Sequence, residues 1–178
     1  VLKNNKGTED NRVRHMDYGV QFNKLMYERL MAGGNITLFS PHDVPGLYDA
    51  FFADQDEFKR LYEQAERKTS IRKKVISATE LFSAFMQERK DTGRIYLQNV
   101  DHANEHSSFK TEVAPIKQSN LCCEIDLPTK PLNDINDPNG EIALCTLSAV
   151  NWGSFKNPED MEKACTLAVR GLDALLSY

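Results

Sequence analysis

The chain has 178 residues, a formal net charge of −4, 40% hydrophobic residues and 27% charged residues. These values are typical of one globular domain, or a large piece of one, and they exclude a disordered chain. The modest acidic charge does not favour a nucleic-acid-binding surface, and no apolar run approaches the roughly 20 residues that span a bilayer. We therefore expect neither nucleic acid nor a membrane as a partner.

The N-terminal residues 1–12 are polar, are expected to be irregular, and lack the apolar segment of a signal peptide. The chain begins at Val1 rather than at methionine and stops on an apolar segment, so we expect a piece of a longer protein. Four cysteines are few for this length. Without a secretory segment they indicate a reducing, cytoplasmic setting in which any disulfide is catalytic.

Hydrophobic spacing and turn residues predict the elements in chain order. The predicted helices cover 17–31, 56–66, 74–90 and 157–178, and the predicted strands cover 36–40, 94–100, 119–127 and 141–150. We expect Asp17 to cap the first helix, Gly93 to end the third and Asn157 to cap the last. Segments 40–49 and 101–117 are predicted as loops. This alternation of helices and strands predicts an α/β fold with some parallel pairing.

Two adjacent cysteines stand between an asparagine and a glutamate in "SNLCCEIDL". If this segment is an extended strand, Asn120, Cys122 and Glu124 share one face, with neighbours on that face roughly 6.6–6.8 Å apart, and Cys123 lies on the other face. One interpretation is that both thiols pack in the core, because free cysteine is often buried. The other is that Cys122 is a reactive thiol beside a hydrogen-bonding amide and a general base. The residues alone leave both interpretations open.

The remaining cysteines and histidines carry weaker signals. Core packing is the favoured interpretation of Cys145, on a predicted strand, and of Cys165, on the last predicted helix. His102 and His106 are four residues apart, but they lie in a predicted loop with no cysteine at ligand spacing, so no metal site is predicted. The sequence contains no glycine-rich phosphate-binding motif.

The segments "QSNLCCEIDLPTKPLND" and "GEIALCTLSAVNWG" closely resemble the catalytic (alpha) subunits of the class I ribonucleotide reductase family. "NRVRHMDYGVQFNKLMYERL", "LFSPHDVPGLYDAFF" and "TGRIYLQNVDHANEHSSF" extend the resemblance over essentially the whole chain. The resemblance implies a segment of a ten-stranded α/β barrel with a central finger loop. Residues 1–178 would form part of this single catalytic domain, with the finger loop and the active-site strands at about 118–150.

The resemblance also implies an activity, the reduction of ribonucleoside diphosphates to 2′-deoxyribonucleoside diphosphates, which are DNA precursors. Cys122 matches the cysteine that becomes a thiyl radical and takes the 3′ hydrogen of the ribose. Glu124 matches the general base on the 3′ hydroxyl, and Asn120 matches the amide that binds the ribose hydroxyls. Cys145 matches one member of the redox-active cysteine pair. Cys123 replaces a residue that is often apolar in the family.

Several partners are implied in the same way. A metal-containing small (beta) subunit would supply the radical, thioredoxin or glutaredoxin would reduce the disulfide, and the full-length subunit would form a homodimer. ATP, dATP and other dNTP effectors would bind outside this segment, which is expected to hold no cofactor or metal. The resemblance implies that the second member of the redox-active pair lies on a strand upstream of Cys122, and no cysteine precedes Cys122 in this chain. We therefore expect the isolated chain to be inactive and, as a partial barrel, poorly soluble or oligomeric.

Two alternatives remain. A non-catalytic relative would keep the barrel segment and bind a nucleotide or a protein partner without turnover, although such a protein has no need for a thiol beside a carboxylate. An unrelated thiol enzyme would pair Cys122 with His102 or His106, which would make alkylation of the cysteine fast and histidine-dependent.

Overall fold

The computed structural model of the chain describes residues 7, 8, 10, 13 and 16–177, so the prediction for residues 1–12 lies largely outside the described residues. The chain divides into two compact units, Val1–Glu141 and Ile142–Tyr178. The strands of the first unit are β1 (Tyr18–Phe22), β2 (Asn35–Phe39), β3 (Lys73–Ser77) and β4 (Ile95–Asn99). Its α-helices are α1 (Lys24–Met31), α2 (Leu47–Ala53), α3 (Gln55–Arg67), α4 (Ala78–Thr92) and α5 (Val100–Glu105), and the second unit contains α6 (Pro158–Leu176).

The strands of the first unit form two small sheets. β1 pairs in parallel with β4, with Tyr18 opposite Ile95 and Phe22 opposite Asn99. β2 pairs antiparallel with β3. A parallel pair needs a long crossover connection, which α1 to α4 and the second sheet supply between β1 and β4. The predicted α/β fold with parallel pairing is confirmed, and within the described residues each sheet has two strands.

Two predicted helix ends are confirmed, one at Gly93 and one at Asn157. α4 ends at Gly93, which has φ +65°, a conformation that glycine adopts without a steric cost. α6 follows Asn157, whose Oδ1 accepts a hydrogen bond from the Asp160 amide at 2.9 Å. The predicted helix at 56–66 is present as α3, and the Glu57 amide donates to Oδ1 of its cap Asp54 at 2.9 Å.

Two predicted helices begin too early, because their first residues are strands. Residues 18–22 form β1, and α1 is preceded by Asn23 rather than capped by Asp17. Residues 73–77 form β3, so α4 begins at Ala78. In both places pairing with a distant strand outweighs a spacing of apolar residues that also fits a helix.

The two predicted loops contain short helices. A 3₁₀ turn at Pro41–Asp43 leads into α2, which buries Leu47 and Phe52. α5 occupies the start of the second predicted loop and buries Val100 and Asn104. Helices of six or seven residues are too short to give a clear periodic signal in the sequence. Burial of a few side chains, rather than intrinsic helix propensity, stabilises them.

The predicted strands at 119–127 and 141–150 are wrong. The first segment is a turn, with an isolated bridge between Ser119 and Asp126 at its base. Residues 142–150 have no regular secondary structure. The Asn120 side chain bonds to the backbone of the first segment and competes with strand pairing, whereas the second segment finds no partner strand among the described residues.

Two groups of apolar side chains fix the first unit. The larger one lies between α1, α2 and α3 and contains Leu25, Val44, Leu47, Ala50, Phe58, Ala65 and Ile71. The other is aromatic, with the Phe22 ring centroid 4.7 Å from that of Phe82 and 5.7 Å from that of Phe85. Phe22 is the last residue of β1, and the other two rings lie on α4. This aromatic group therefore packs the β1–β4 sheet against α4.

The second unit is built on α6. Met161, Cys165 and Ala168 are half-buried along one stripe of this helix, as the structural interpretation of Cys165 expects. In the preceding segment, Leu144 and Leu147 are exposed. Exposed apolar side chains of this kind favour association. Self-association of the isolated chain therefore remains a prediction.

Candidate active site

The segment that contains the adjacent cysteines is a tight turn at the end of a loop in the first unit. The Cys123 amide donates to the Asn120 carbonyl at 3.1 Å, and the Asn120 amide donates to the Ile125 carbonyl at 3.1 Å. Cys123 has φ +62°. This left-handed conformation costs an L-residue about 1–2 kcal/mol, so the surrounding hydrogen bonds must hold it.

The Asn120 side chain organises this turn. Its Oδ1 accepts hydrogen bonds from the amides of Glu124 at 3.1 Å and Ile125 at 3.0 Å. Asparagine is common in turns because its side-chain carbonyl can replace a backbone acceptor in this way. Among the described residues no partner is found for its Nδ2, so this group can still donate to a ligand.

The two thiols differ in their surroundings. Cys122 is an exposed free thiol, and Glu124 two residues later is exposed as well. Cys123 is half-buried, with its sulfur 3.3 Å from the Ser119 hydroxyl. That hydroxyl is also 2.9 Å from the Asn120 carbonyl oxygen. The turn thus presents Cys122 to the outside and holds Cys123 within its own hydrogen bonds.

This geometry corrects the argument from strand alternation. A shared face for Asn120, Cys122 and Glu124 requires an extended backbone, and this segment is not extended. What brings the asparagine and the glutamate together is the hydrogen bond from the Glu124 amide to Asn120 Oδ1.

Side chains of β1 and β4 hold the two stems of the turn, the incoming stem at residues 117–119 and the outgoing stem at residues 126–127. Gln98 Nε2 on β4 donates to Asp126 Oδ1 at 2.6 Å, which ties the outgoing stem. Gln21 Nε2 on β1 donates to Gln98 Oε1 at 2.8 Å and to the Lys117 carbonyl at 2.7 Å, which ties the incoming stem. The turn therefore rests on the parallel sheet.

A third support comes from α5. Asn104 is buried, and its Nδ2 donates to the carbonyls of Val100 and Ile116 at 2.8 and 2.9 Å. Its Oδ1 accepts from the Ile116 amide at 2.7 Å. Both backbone groups of Ile116, just before the incoming stem, are thus fixed to the helix that follows β4.

The sequence analysis does not predict that the turn is supported by the side chains of Gln21, Gln98 and Asn104. A signal was present for Gln98, a polar residue inside the apolar strand segment "RIYLQNV". A polar group in a buried strand needs hydrogen-bond partners, and such a group often orders a neighbouring segment.

Two open clefts lie beside the turn. One, of about 340 Å³, is lined by residues of β1, Gln98 and the segment 118–121, together with Cys123. The other, of about 380 Å³, is lined by Cys123, Asp126, His102 and His106, among others. The histidine rings are 5.7 Å apart, and they share their cleft with Cys123, whereas Cys122 is not part of its lining. The arrangement therefore gives no support to a Cys122–His pair.

The structure holds Cys145 in the second unit, where it is an exposed free thiol in the irregular segment before α6. Across the described residues there is no group of three or more His, Cys, Asp or Glu side chains that could hold a metal ion. No helix in the described part of the chain is long and apolar enough to cross a membrane.

These observations define an α/β protein with a cysteine turn supported by a parallel strand pair. The whole chain, residues 1–178, matches the family model described as ribonucleotide reductase, barrel domain. The chain therefore belongs to the ribonucleotide reductase barrel-domain family.

Curated relatives agree with this family. The chain is 67% identical over 178 residues to the ribonucleoside-diphosphate reductase subunit alpha of Haemophilus influenzae, covering 100% of this chain and 24% of the relative. Against subunit alpha of Enterobacteria phage T4 it is 56% identical over 182 residues, covering 100% and 24%. Against ribonucleoside-diphosphate reductase 1 subunit alpha of Escherichia coli K12 it is 71% identical over 134 residues, covering 75% and 18%. The chain spans about a quarter of the length of the relatives that it matches from end to end.

Proposed function

We propose that this chain is the part of a ribonucleoside-diphosphate reductase catalytic subunit that carries the radical cysteine. The observation that supports this most is the exposed Cys122 on a turn organised by Asn120 and followed by the exposed Glu124. The family match and the names of the relatives support the part of the proposal that concerns the reductase alpha subunit. The whole protein would reduce ribonucleoside diphosphates to 2′-deoxyribonucleoside diphosphates and so supply DNA precursors.

In the proposed reaction Cys122 acts as a thiyl radical and takes the 3′ hydrogen atom of the ribose, leaving a carbon radical. Glu124 accepts the proton of the 3′ hydroxyl, and one thiol of the redox-active pair protonates the 2′ hydroxyl, which leaves as water. The pair then gives two electrons and its second proton to the sugar at C2′ and closes to a disulfide. Glu124 returns its proton to the 3′ oxygen, and the 3′ hydrogen returns from Cys122. Asn120 Nδ2 would donate to a ribose hydroxyl, since the Oδ1 of this side chain is used by the turn.

Cys145 is the proposed member of the electron-donating pair in this chain. The second member would lie upstream of Cys122 in the complete subunit, as the resemblance implies, and no cysteine precedes Cys122 among these residues. For this reason the 178-residue chain alone is proposed to be inactive. In the complete subunit, the turn at 119–126 would be the tip of a finger loop inside a ten-stranded α/β barrel, with residues 1–178 as part of that one domain.

The partners and setting follow from the same proposal. A metal-containing small subunit would supply the radical to Cys122, and thioredoxin or glutaredoxin would reduce the disulfide. The full-length subunit would act as a cytoplasmic homodimer, with ATP, dATP and dNTP effectors bound outside this segment.

The test is reduction of a ribonucleoside diphosphate by the full-length subunit that carries this segment, assayed with its small subunit. We expect Cys122→Ser and Cys145→Ser to abolish formation of the deoxy product. Cys165→Ser is the matched control, because this half-buried thiol on α6 has no proposed role. Turnover by Cys122→Ser would reject the radical assignment, whereas a parent protein without turnover would favour the non-catalytic, nucleotide- or partner-binding relative as the origin of the resemblance.

A further inference from the structure

Gln98 is a buried polar side chain on β4. It is 7% exposed, and Ile95 on the same strand is fully buried. Burying a primary amide is unfavourable unless both its donor and its acceptor find partners. Both ends of Gln98 do, because Nε2 donates to Asp126 Oδ1 at 2.6 Å and Oε1 accepts from Gln21 Nε2 at 2.8 Å.

The partners of Gln98 connect it to both stems of the cysteine turn. Gln21 lies opposite Gln98 in the register of the β1–β4 sheet, and its Nε2 also donates to the Lys117 carbonyl at 2.7 Å. Asp126 lies on the outgoing stem and bridges to Ser119 on the incoming stem. Gln98 is therefore the central member of a hydrogen-bonded row, here called the amide row, that consists of Gln21, Gln98 and Asp126.

The amide row leaves the turn little freedom to shift. Its two ends fix residues 117 and 126, and the turn's own hydrogen bonds fix the backbone from Asn120 to Ile125. Cys122 lies within this closed segment and makes none of these contacts through its thiol.

We propose that Gln98 is a positioning residue that sets the place of Cys122 through its hydrogen bond to Asp126. This inference rests on the proposed function. Gln98 makes its contacts with Gln21 and Asp126 and acts on the reacting thiol only through the stems. An apolar side chain of similar size would fill the buried site without the cost of desolvating an amide, so the hydrogen bond to the stem is what the amide provides.

The test exchanges the two ends of the Gln98–Asp126 hydrogen bond. Gln98→Glu alone places two carboxylates in contact and removes the donor to Asp126, so the outgoing stem is repelled. Adding Asp126→Asn restores the hydrogen bond between positions 98 and 126 with its direction reversed, while Gln21 continues to donate to position 98. In the double variant, the new carboxylate on β4 accepts from Gln21 Nε2 with one oxygen and from the new stem amide with the other.

In the full-length subunit with its small subunit, we expect Gln98→Glu to lower kcat for diphosphate reduction on the order of 100-fold, because a shift of about 1 Å at a reacting group has that effect. The double variant should recover most of this loss. Gln87→Glu is the control, because Gln87 on the exposed surface of α4 makes the same kind of bond to Asp91 at 2.8 Å. We expect the control to keep the parent kcat.

A second readout does not depend on turnover. Hydrogen exchange of the amides between Ser119 and Asp126 should become faster in Gln98→Glu and return toward the parent rate in the double variant. Asp126→Ala covers the case in which Gln98→Glu does not fold, since it leaves β4 intact and removes the row only at the half-buried stem. It should speed exchange and lower kcat in the same direction.

The outcomes separate this inference from the proposed function. If Cys122→Ser is inactive but Gln98→Glu and Asp126→Ala keep the parent kcat and exchange rates, the positioning role is wrong and the proposed function stands. A double variant as slow as Gln98→Glu would also overturn the positioning role. If Cys122→Ser is active, the proposed function is wrong, and with it the role of Gln98 in catalysis.

Discussion

The segments around Cys122 and Cys145 are both predicted as strands from the sequence, and they differ in what holds them. Around Cys122, side chains of Asn120, Gln98 and Asn104 bind the turn or its stems by hydrogen bonds. Around Cys145, residues 142–150 are irregular and their leucines are exposed. An exposed thiol can thus be held in place by polar side chains that bind the backbone of a turn, without a regular strand on either side.

The largest effect on stability is expected from Asn104, which supports the incoming stem. Asn104→Ala leaves the buried backbone groups of Val100 and Ile116 without three hydrogen bonds. We expect a loss of about 3 kcal/mol in unfolding free energy, measured by urea denaturation, because unsatisfied buried groups carry their full desolvation cost. Asn136→Ala makes the same change at an exposed site and should be nearly neutral. Equal effects would mean that the stem does not depend on Asn104.

A smaller effect is expected at Asn120, where structure and ligand binding can be separated. Asn120→Ala removes the acceptor for the amides of Glu124 and Ile125 and should cost about 1–2 kcal/mol. Asn120→Asp keeps that acceptor but loses the Nδ2 donor. Hydrogen exchange at these two amides should therefore accelerate in the alanine variant alone, while diphosphate reduction should fall in both. Fast exchange in Asn120→Asp would contradict the assignment of Oδ1 to the turn.

The Arg29–Glu66 ion pair lies away from the turn. We expect its loss to lower stability by a comparable amount, and this loss depends on pH. Arg29 Nη1 and Nη2 donate to Glu66 Oε1 and Oε2 at 2.9 and 2.7 Å, and Thr37 Oγ1 donates to Oε1 at 2.7 Å. Partial burial raises the pKa of Glu66, but the hydrogen bonds from Arg29 and Thr37 outweigh it and hold the pKa below its usual range. The stabilisation is therefore present at neutral pH and is lost as the pH falls through this lowered pKa.

Glu66→Gln should accordingly cost about 1–2 kcal/mol at neutral pH, and the difference from the parent should shrink in acid. Urea midpoints at neutral pH and below the usual carboxyl range measure this. Glu57→Gln is the control, because its pair with Arg60 is exposed and should matter little. A difference that grows in acid would show that folding does not lower the pKa of Glu66.

The smallest effect is expected in the Cys145 segment. Leu147 is 83% exposed, so Leu147→Ala in the 178-residue chain, measured at a dilution at which the chain is monomeric, should change the unfolding free energy by less than about 0.5 kcal/mol. A loss of several kcal/mol, as for a buried leucine, would show that this segment packs in solution and would remove the contrast with the cysteine turn.

The sequence predicted most where local chemistry decides the structure. The cap at Asn157 and the end of α4 at Gly93 depend on neighbouring residues alone, and these predictions are confirmed. β1 and β3 were missed because each depends on a partner strand many residues away. The resemblance to a family, rather than the periodicity, singled out the candidate site residues Cys122, Glu124, Asn120 and Cys145.

The support of the turn was not predicted, for a physical reason. Asn120 fits both a strand face and a turn, and only the acceptor geometry at Glu124 and Ile125 distinguishes them. Gln98 and Asp126 are 28 residues apart, so their hydrogen bond has no local signature in the sequence.

The most direct test of the account compares the two adjacent thiols in one assay. Diphosphate reduction by the full-length subunit with its small subunit is measured for the parent, Cys122→Ser and Cys123→Ser. The account predicts no turnover for Cys122→Ser and most of the parent turnover for Cys123→Ser, because a serine hydroxyl can also accept the hydrogen bond from Ser119. Turnover by Cys122→Ser, or an equal loss in both variants, would contradict the separate roles that the turn gives to its two cysteines.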